Sequence, residues 1–174
     1  SLLMGAGTIY AIRRELYQPV DIDLADDFTM PLSILAKGYK VVYEENAIAY
    51  ERTSTVSKEE FNRKRRIAAR DSLAYIRIFY RLPVFVFWQL TSHKFLRWLI
   101  SYFLFLIFVA NIFLLSSVFY SVIFILQIAF YFLAFLKVHI PYYFCTVNIA
   151  ASLGIMDMFM GKRYITWEKA KSSR

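Results

Sequence analysis

The sequence predicts a three-layer α/β domain followed by an α-helical membrane region. Three observations carry this reading: a helix–glycine–strand unit over residues 26–43, an uncharged run from Leu99 to Leu136, and a split in charge along the chain. Residues 1–70 hold 11 Lys/Arg against 10 Asp/Glu, a net of +1, as on a soluble mixed-charge surface. Residues 71–174 hold 10 against 3, a net of +7, which suits anionic lipid headgroups. The apolar share of 59%, with 17 Phe and 13 Tyr, exceeds the usage of soluble domains. A pI of 9.6 could point to nucleic acid, but the basic part is also the most apolar part, which argues against it. The single cysteine, Cys145, excludes a disulfide within these residues and argues against a cysteine metal site.

Residues 1–70 read as the α/β part. Leu2 to Met4 is an apolar strand end, Gly5-Ala6-Gly7-Thr8 a tight turn, and Ile9 to Leu16 a short helix or strand. Asp26 to Lys37 reads as a helix, capped by Asp26 or Thr29. Pro31 places its first turn nearby, because proline is tolerated only there. Leu32, Leu35 and Ala36 form its apolar stripe, and Gly38 is a natural stop. Tyr39 to Tyr43 alternates and reads as a strand, which completes the αβ unit.

Ser57 to Tyr80 has helical periodicity, with Ser57 and Glu60 as a capping box and Pro83 as the stop. Residues 71–97 read as amphipathic helices in the headgroup layer, rich in aromatics beside His93, Lys94 and Arg97. Residues 98–161 read as the membrane region. The uncharged run covers 38 positions, and as helix it would extend roughly 57 Å, about twice a bilayer core. Ser116-Ser117 therefore divides it into spans of about 99–115 and 118–136. Residues of about 141–160, with Pro141, Asn148, Gly154 and Asp157, form a third span or a re-entrant segment. Residues 162–174 are a basic tail. The basic flank before Leu99 places residues 1–97 in the cytoplasm of a multi-pass cell-membrane protein.

Three pieces of the first 70 residues carry a family resemblance. The first is Gly7-Thr8-Ile9-Tyr10-Ala11-Ile12-Arg13-Arg14. The second is Ala25-Asp26-Asp27, followed by Pro31-Leu32 and Gly38-Tyr39. The third is Arg63-Lys64-Arg65-Arg66-Ile67. Together they resemble the membrane-bound family-2 glycosyltransferases, the group containing cellulose, chitin, hyaluronan and poly-N-acetylglucosamine synthases. The resemblance covers only the second half of such an enzyme, and Ser1 in place of Met agrees with a piece of a longer chain.

The resemblance implies the C-terminal part of a Rossmann-like GT-A glycosyltransferase domain. It implies inverting transfer of a sugar from a nucleotide-sugar donor to a saccharide or lipid hydroxyl, in cell-surface polysaccharide or glycolipid synthesis. Asp27 corresponds to the catalytic base and Asp26 to its acidic neighbour, while Gly7 lies in the acceptor element. A carboxylate suits a base because the attacking hydroxyl must lose its proton, and two adjacent carboxylates raise one another's proton affinity. Arg66 and Arg63 correspond to positions near the donor diphosphate, where guanidinium forks suit phosphate oxygens. Arg63 and Ile67 replace the family's Gln and Trp, and the loss of Trp removes a stacking platform for a growing glycan. The same four basic residues could instead be a juxtamembrane lipid anchor. Mg²⁺ or Mn²⁺ is the implied cofactor, with ligands upstream, and this fragment alone is expected to be inactive. Asp21-Ile22-Asp23 comes too late in the order to be the metal motif and reads as loop. Thr166 to Lys169 is a faint match to a gating loop and reads better as tail. The competing reading is a non-enzymatic integral membrane protein, a scaffold or transporter subunit, although the spans lack the buried charges that transport paths use.

Overall fold

The computed structural model describes residues 9–50 and 57–165. Helix α1 spans Asp26–Ala36, α2 Ser57–Ile78 and α3 Val84–Leu90. A π-helical turn, Thr91–Phe95, leads into the short α4, Leu96–Trp98. Then come α5, Ile100–Phe113, α6, Val118–Phe135, and α7, His139–Phe159.

The architecture is helical, and this corrects the expected α/β Rossmann-like GT-A domain: no strand forms among the described residues. The segment 39–43 that alternates in sequence is irregular, with Tyr39, Val42 and Tyr43 exposed. Alternation favours a strand only where a neighbouring strand completes the hydrogen-bond ladder and covers one face. Among the described residues, segment 39–43 has no neighbouring strand, and of its side chains Val41 alone packs against the core. Ile9 to Leu16 is likewise irregular apart from a 3₁₀ turn at Arg14–Leu16. The strand end at Leu2–Met4, the Gly7 turn and the Thr166–Lys169 segment lie outside the described residues.

Helix α1 ends as its sequence requires. Gly38 adopts φ 84°, its N–H bonds to Leu35 O, and Tyr39 N–H reaches Ile34 O. This pair of bonds is a Schellman cap, and a left-handed residue is what it needs. The start differs from expectation. The helix opens at Asp26 after Ala25, without a side-chain cap, so Pro31 sits in the second turn. Pro31 has no N–H to give to Asp27 O, the acceptor four residues back.

Helix α2 is the organising element. Its Leu73, Ala74 and Ile78 join Phe28, Leu32 and Leu35 of α1, Leu90, Trp98, and Ile155 and Met158 of α7 in one core. Small residues form the α2–α7 seam. Ala68 and Ala69 meet Gly154, and Ser72 and Ala150 are fully buried. Gly154 is required there, since a Cβ on it would fall onto Arg65 O and lie 2.9 Å from Ala68 Cβ. Along the same seam the Arg65 guanidinium grips Asp157 through two bonds of 2.6 and 2.8 Å. Asp157 is 1% exposed, and it also accepts from the Tyr164 hydroxyl. So the C-terminal part of α7 is packed onto the amphipathic α2.

Helices α5 and α6 form the expected hairpin, turning at residues 114–117. A polar seam joins them: Gln127 donates to Leu104 O at 3.2 Å and to the Tyr131 hydroxyl at 2.9 Å, and Asn111 donates to Gln127 at 3.5 Å. Phe119, Ile125, Leu126 and Phe135 of α6 point outward, each exposed by more than 60%. Among the described residues α6 is the helix long and apolar enough by itself to cross a membrane, with 18 residues and a mean hydropathy of 2.2. The 14-residue α5 reaches that standard only jointly with residues 84–98, across a 60° bend. The described residues thus support one span rather than a multi-pass set.

Candidate active site

The first turn of α1 presents Asp26 and Asp27 as neighbours, Asp26 exposed and Asp27 half-buried. The loop ahead of them is clamped from α2. Arg70 donates to Ile22 O and Leu24 O. Arg77 pairs with Asp21 at 2.7 Å and with Asp23 at 3.0 Å. Arg163, beyond α7, adds a contact of 3.4 Å to Asp23. Asp21 and Asp23 therefore serve the loop, as their place in the sequence suggests. With the loop pinned, Phe28 enters the core at 2% exposure, and Asp27, one residue earlier, is held at the edge of that core.

Two further groups stand beneath the acid pair. Asp71, buried in α2, pairs with Lys94 Nζ at 2.8 Å. The Lys94 ammonium also lies 3.9 Å from the Phe28 ring centre and 5.6 Å from that of Trp98. From the N-terminal side Tyr10 approaches the acid pair. Burial pushes the Asp27 carboxyl above its usual range, and the Asp26 charge adds to this, while Lys94 and Arg70 pull it down. Burial also raises Asp71, against the pull of Lys94. Tyr10 is raised by burial first and by the charges of Asp26 and Asp27 next. The outcome is a carboxylate with raised proton affinity at the boundary of core and solvent, the property a general base needs.

The expected site residues are brought together only in part. Asp26 and Asp27 share one helical turn. Arg63 is engaged within its own helix, donating to Glu60 at 3.0 Å. Arg66 is half-buried on α2, four residues before Arg70 and so on the same face. The charges acting most strongly on Asp27 are those of Asp26, Lys94 and Arg70. Gly7 lies outside the described residues. Among the described residues no three His, Cys, Asp or Glu side chains are grouped as a metal site needs.

Sequence reasoning misses Lys94, Asp71, Arg70 and Tyr10 as members of this site. In sequence Lys94 looks like a headgroup-layer cation, and Asp71 draws no notice. A signal does exist, because Asp71 is a lone carboxylate between Arg70 and an apolar run. A helix that carries such a charge on its buried side needs a cation to meet it.

Residues 1–137 match the protein family described as glycosyl transferase family group 2. The matched range contains the acid pair, all of α2, and Lys94. No curated protein and no solved structure matches the chain.

Proposed function

The chain belongs to glycosyl transferase family group 2, and from that premise we propose that it serves inverting sugar transfer from a nucleotide-sugar donor to a hydroxyl acceptor at a membrane. The observation that carries this is the half-buried Asp27 beside Asp26, with its proton affinity raised, inside the matched range. In the proposed step the acceptor hydroxyl gives its proton to the Asp27 carboxylate. The hydroxyl oxygen forms a bond to the anomeric carbon on the face opposite the leaving group. The bond from that carbon to the donor diphosphate breaks, and the nucleoside diphosphate departs with the electron pair.

Asp26 holds the local negative charge that keeps Asp27 basic. Arg66, with Arg63, is assigned to the donor diphosphate, where a guanidinium fork matches phosphate oxygens. Gly7 belongs to the acceptor side of the proposal. Mg²⁺ or Mn²⁺ would neutralise diphosphate charge; the described residues do not group as ligands for it, and no step here is routed through it. Helix α6, with its outward apolar side chains, is the proposed membrane anchor, and α1 and α2 lie on its cytoplasmic side. The product is a cell-surface polysaccharide or a glycolipid.

The test uses the complete reading frame in membranes with a panel of nucleotide sugars and Mg²⁺ or Mn²⁺. Nucleoside diphosphate release that depends on one sugar and falls by about 10²-fold or more in Asp27→Asn supports the assignment. Equal release by both proteins moves the base elsewhere. Absence of release from every donor, by a folded protein, removes the transferase reading.

A further inference from the structure

We propose that the buried Lys94–Asp71 pair is a positioning device for the acid pair, in which the ammonium holds Asp27 in the ionised state that accepts the acceptor's proton. The inference rests on the reading of Asp27 as base. Its ground is the placement of a lysine where lysines rarely stand. The Lys94 side chain is 12% exposed and that of Asp71 5%. Removing an ammonium from water is costly unless a carboxylate and ring faces replace the lost solvation. Here Asp71 and the rings of Phe28 and Trp98 do so. Phe28 is the residue next to Asp27, so the same ring that cushions the ammonium follows the proposed base in the chain.

The lysine is delivered by an irregularity in the helix. Residues 91–95 form a π-helical turn, an uncommon geometry that recurs at functional sites. The turn is braced from both sides. The Tyr75 hydroxyl and Thr91 Oγ1 are 2.9 Å apart, and the Phe95 ring stacks on Tyr75 at 4.9 Å. Thr91 and Ser92 return their hydroxyls to Phe87 O and Trp88 O at 2.7 and 2.8 Å. A lysine needed only for solubility or lipid contact requires none of this support.

Five groups from the elements around Asp27 bear on its ionisation: Asp26 on α1, Arg70 and Asp71 on α2, Lys94 on the π turn, and Tyr10 on the N-terminal segment. Within this set Lys94 and Asp71 act in opposite senses, which separates an electrostatic role from a structural one. Loss of the ammonium makes Asp27 harder to ionise. Loss of the Asp71 charge makes it easier, because a like charge is removed while Lys94 stays.

The experiment measures kcat/KM for nucleoside diphosphate release against pH in the complete, membrane-embedded protein, for wild type, Lys94→Met, Asp71→Asn and Asp27→Asn. The acidic limb of kcat/KM reports the base of the free enzyme. In Lys94→Met it should move up by about one pH unit, and in Asp71→Asn down by about half a unit. Limbs that stay in place, or that move in the same direction, overturn the inference. Should Lys94→Met fail to fold, Asp71→Asn decides alone: a downward move upholds the inference, and any other result overturns it. The Asp27→Asn arm keeps the two readings apart. Full activity there removes Asp27 as base, whereas lost activity with unmoved limbs removes only the role of Lys94 and Asp71.

Discussion

Replacing Gly154 with alanine sets helix propensity against packing, and the structure decides which wins. In an isolated helix the change is favourable by about 1 kcal/mol, because alanine has less backbone entropy to lose. At this seam the new Cβ would fall onto Arg65 O, 2.9 Å from Ala68 Cβ and 3.1 Å from Ala69 N. Two of these three neighbours are backbone atoms of α2, which cannot rotate aside, so α7 must lift from α2. Overpacking of this kind costs about 1–3 kcal/mol. The lift also strains the Arg65–Asp157 grip, which lies further along α7. Set against the propensity gain, the net loss is about 0–2 kcal/mol for Gly154→Ala, and larger for Gly154→Leu. The assay is thermal unfolding of the complete protein in detergent micelles, followed by tryptophan fluorescence. Met156→Ala, at an exposed position of the same helix, is the control. A loss of this size lowers Tm by about 2–4 °C per kcal/mol. Stability of Gly154→Ala above wild type by the full propensity gain of about 1 kcal/mol, or of Gly154→Leu equal to wild type, would refute the close approach of α7 to α2, and with it the shared core.

Three further perturbations test other parts of the structure. Asp157→Ala leaves the Arg65 guanidinium against a seam with no carboxylate and should cost about 3 kcal/mol, while Arg65→Leu combined with Asp157→Leu should recover most of it; the same unfolding assay reads both, and equal stability of single and double variants would contradict a coupled pair. Asp27→Asn should raise thermal stability at neutral pH even as it removes activity. Burial raises the folded-state affinity of this carboxyl, so its contribution is favourable at low pH and is lost as pH rises through the folded value. The difference between variant and wild type should therefore shrink on acidification, and a constant difference from acid to neutral pH would contradict this. Lys137 adopts φ 59° at the end of α6, where its N–H and that of Val138 close a Schellman pair on Ala134 O and Leu133 O; Lys137→Gly should stabilise by about 1 kcal/mol, and unchanged unfolding would indicate an unstrained lysine.

What the sequence by itself determined is local. The apolar period and Gly38 place α1, the charged helix ending before Pro83 places α2, and the uncharged run with Ser116-Ser117 places the α5–α6 hairpin. Each of these signals acts over three or four residues, through side-chain spacing, a left-handed cap or a missing N–H. The adjacent pair Asp26 and Asp27 is legible for the same reason, since one helical turn presents both. The strand expected at 39–43 does not form because alternation records a preference, and a strand forms only when a second strand answers it. Tertiary structure alone decided the partners of the buried charges. Arg65 lies in a basic run whose members look interchangeable, yet it pairs with Asp157, 92 positions away, while Arg63 stays with Glu60. Lys94 looks like one more interfacial cation until the π turn places it on Asp71 beneath Asp27. Pairing energy depends on which charges share a low-dielectric interior, and that is set by how α2 meets α1, the π turn and α7 rather than by any local spacing.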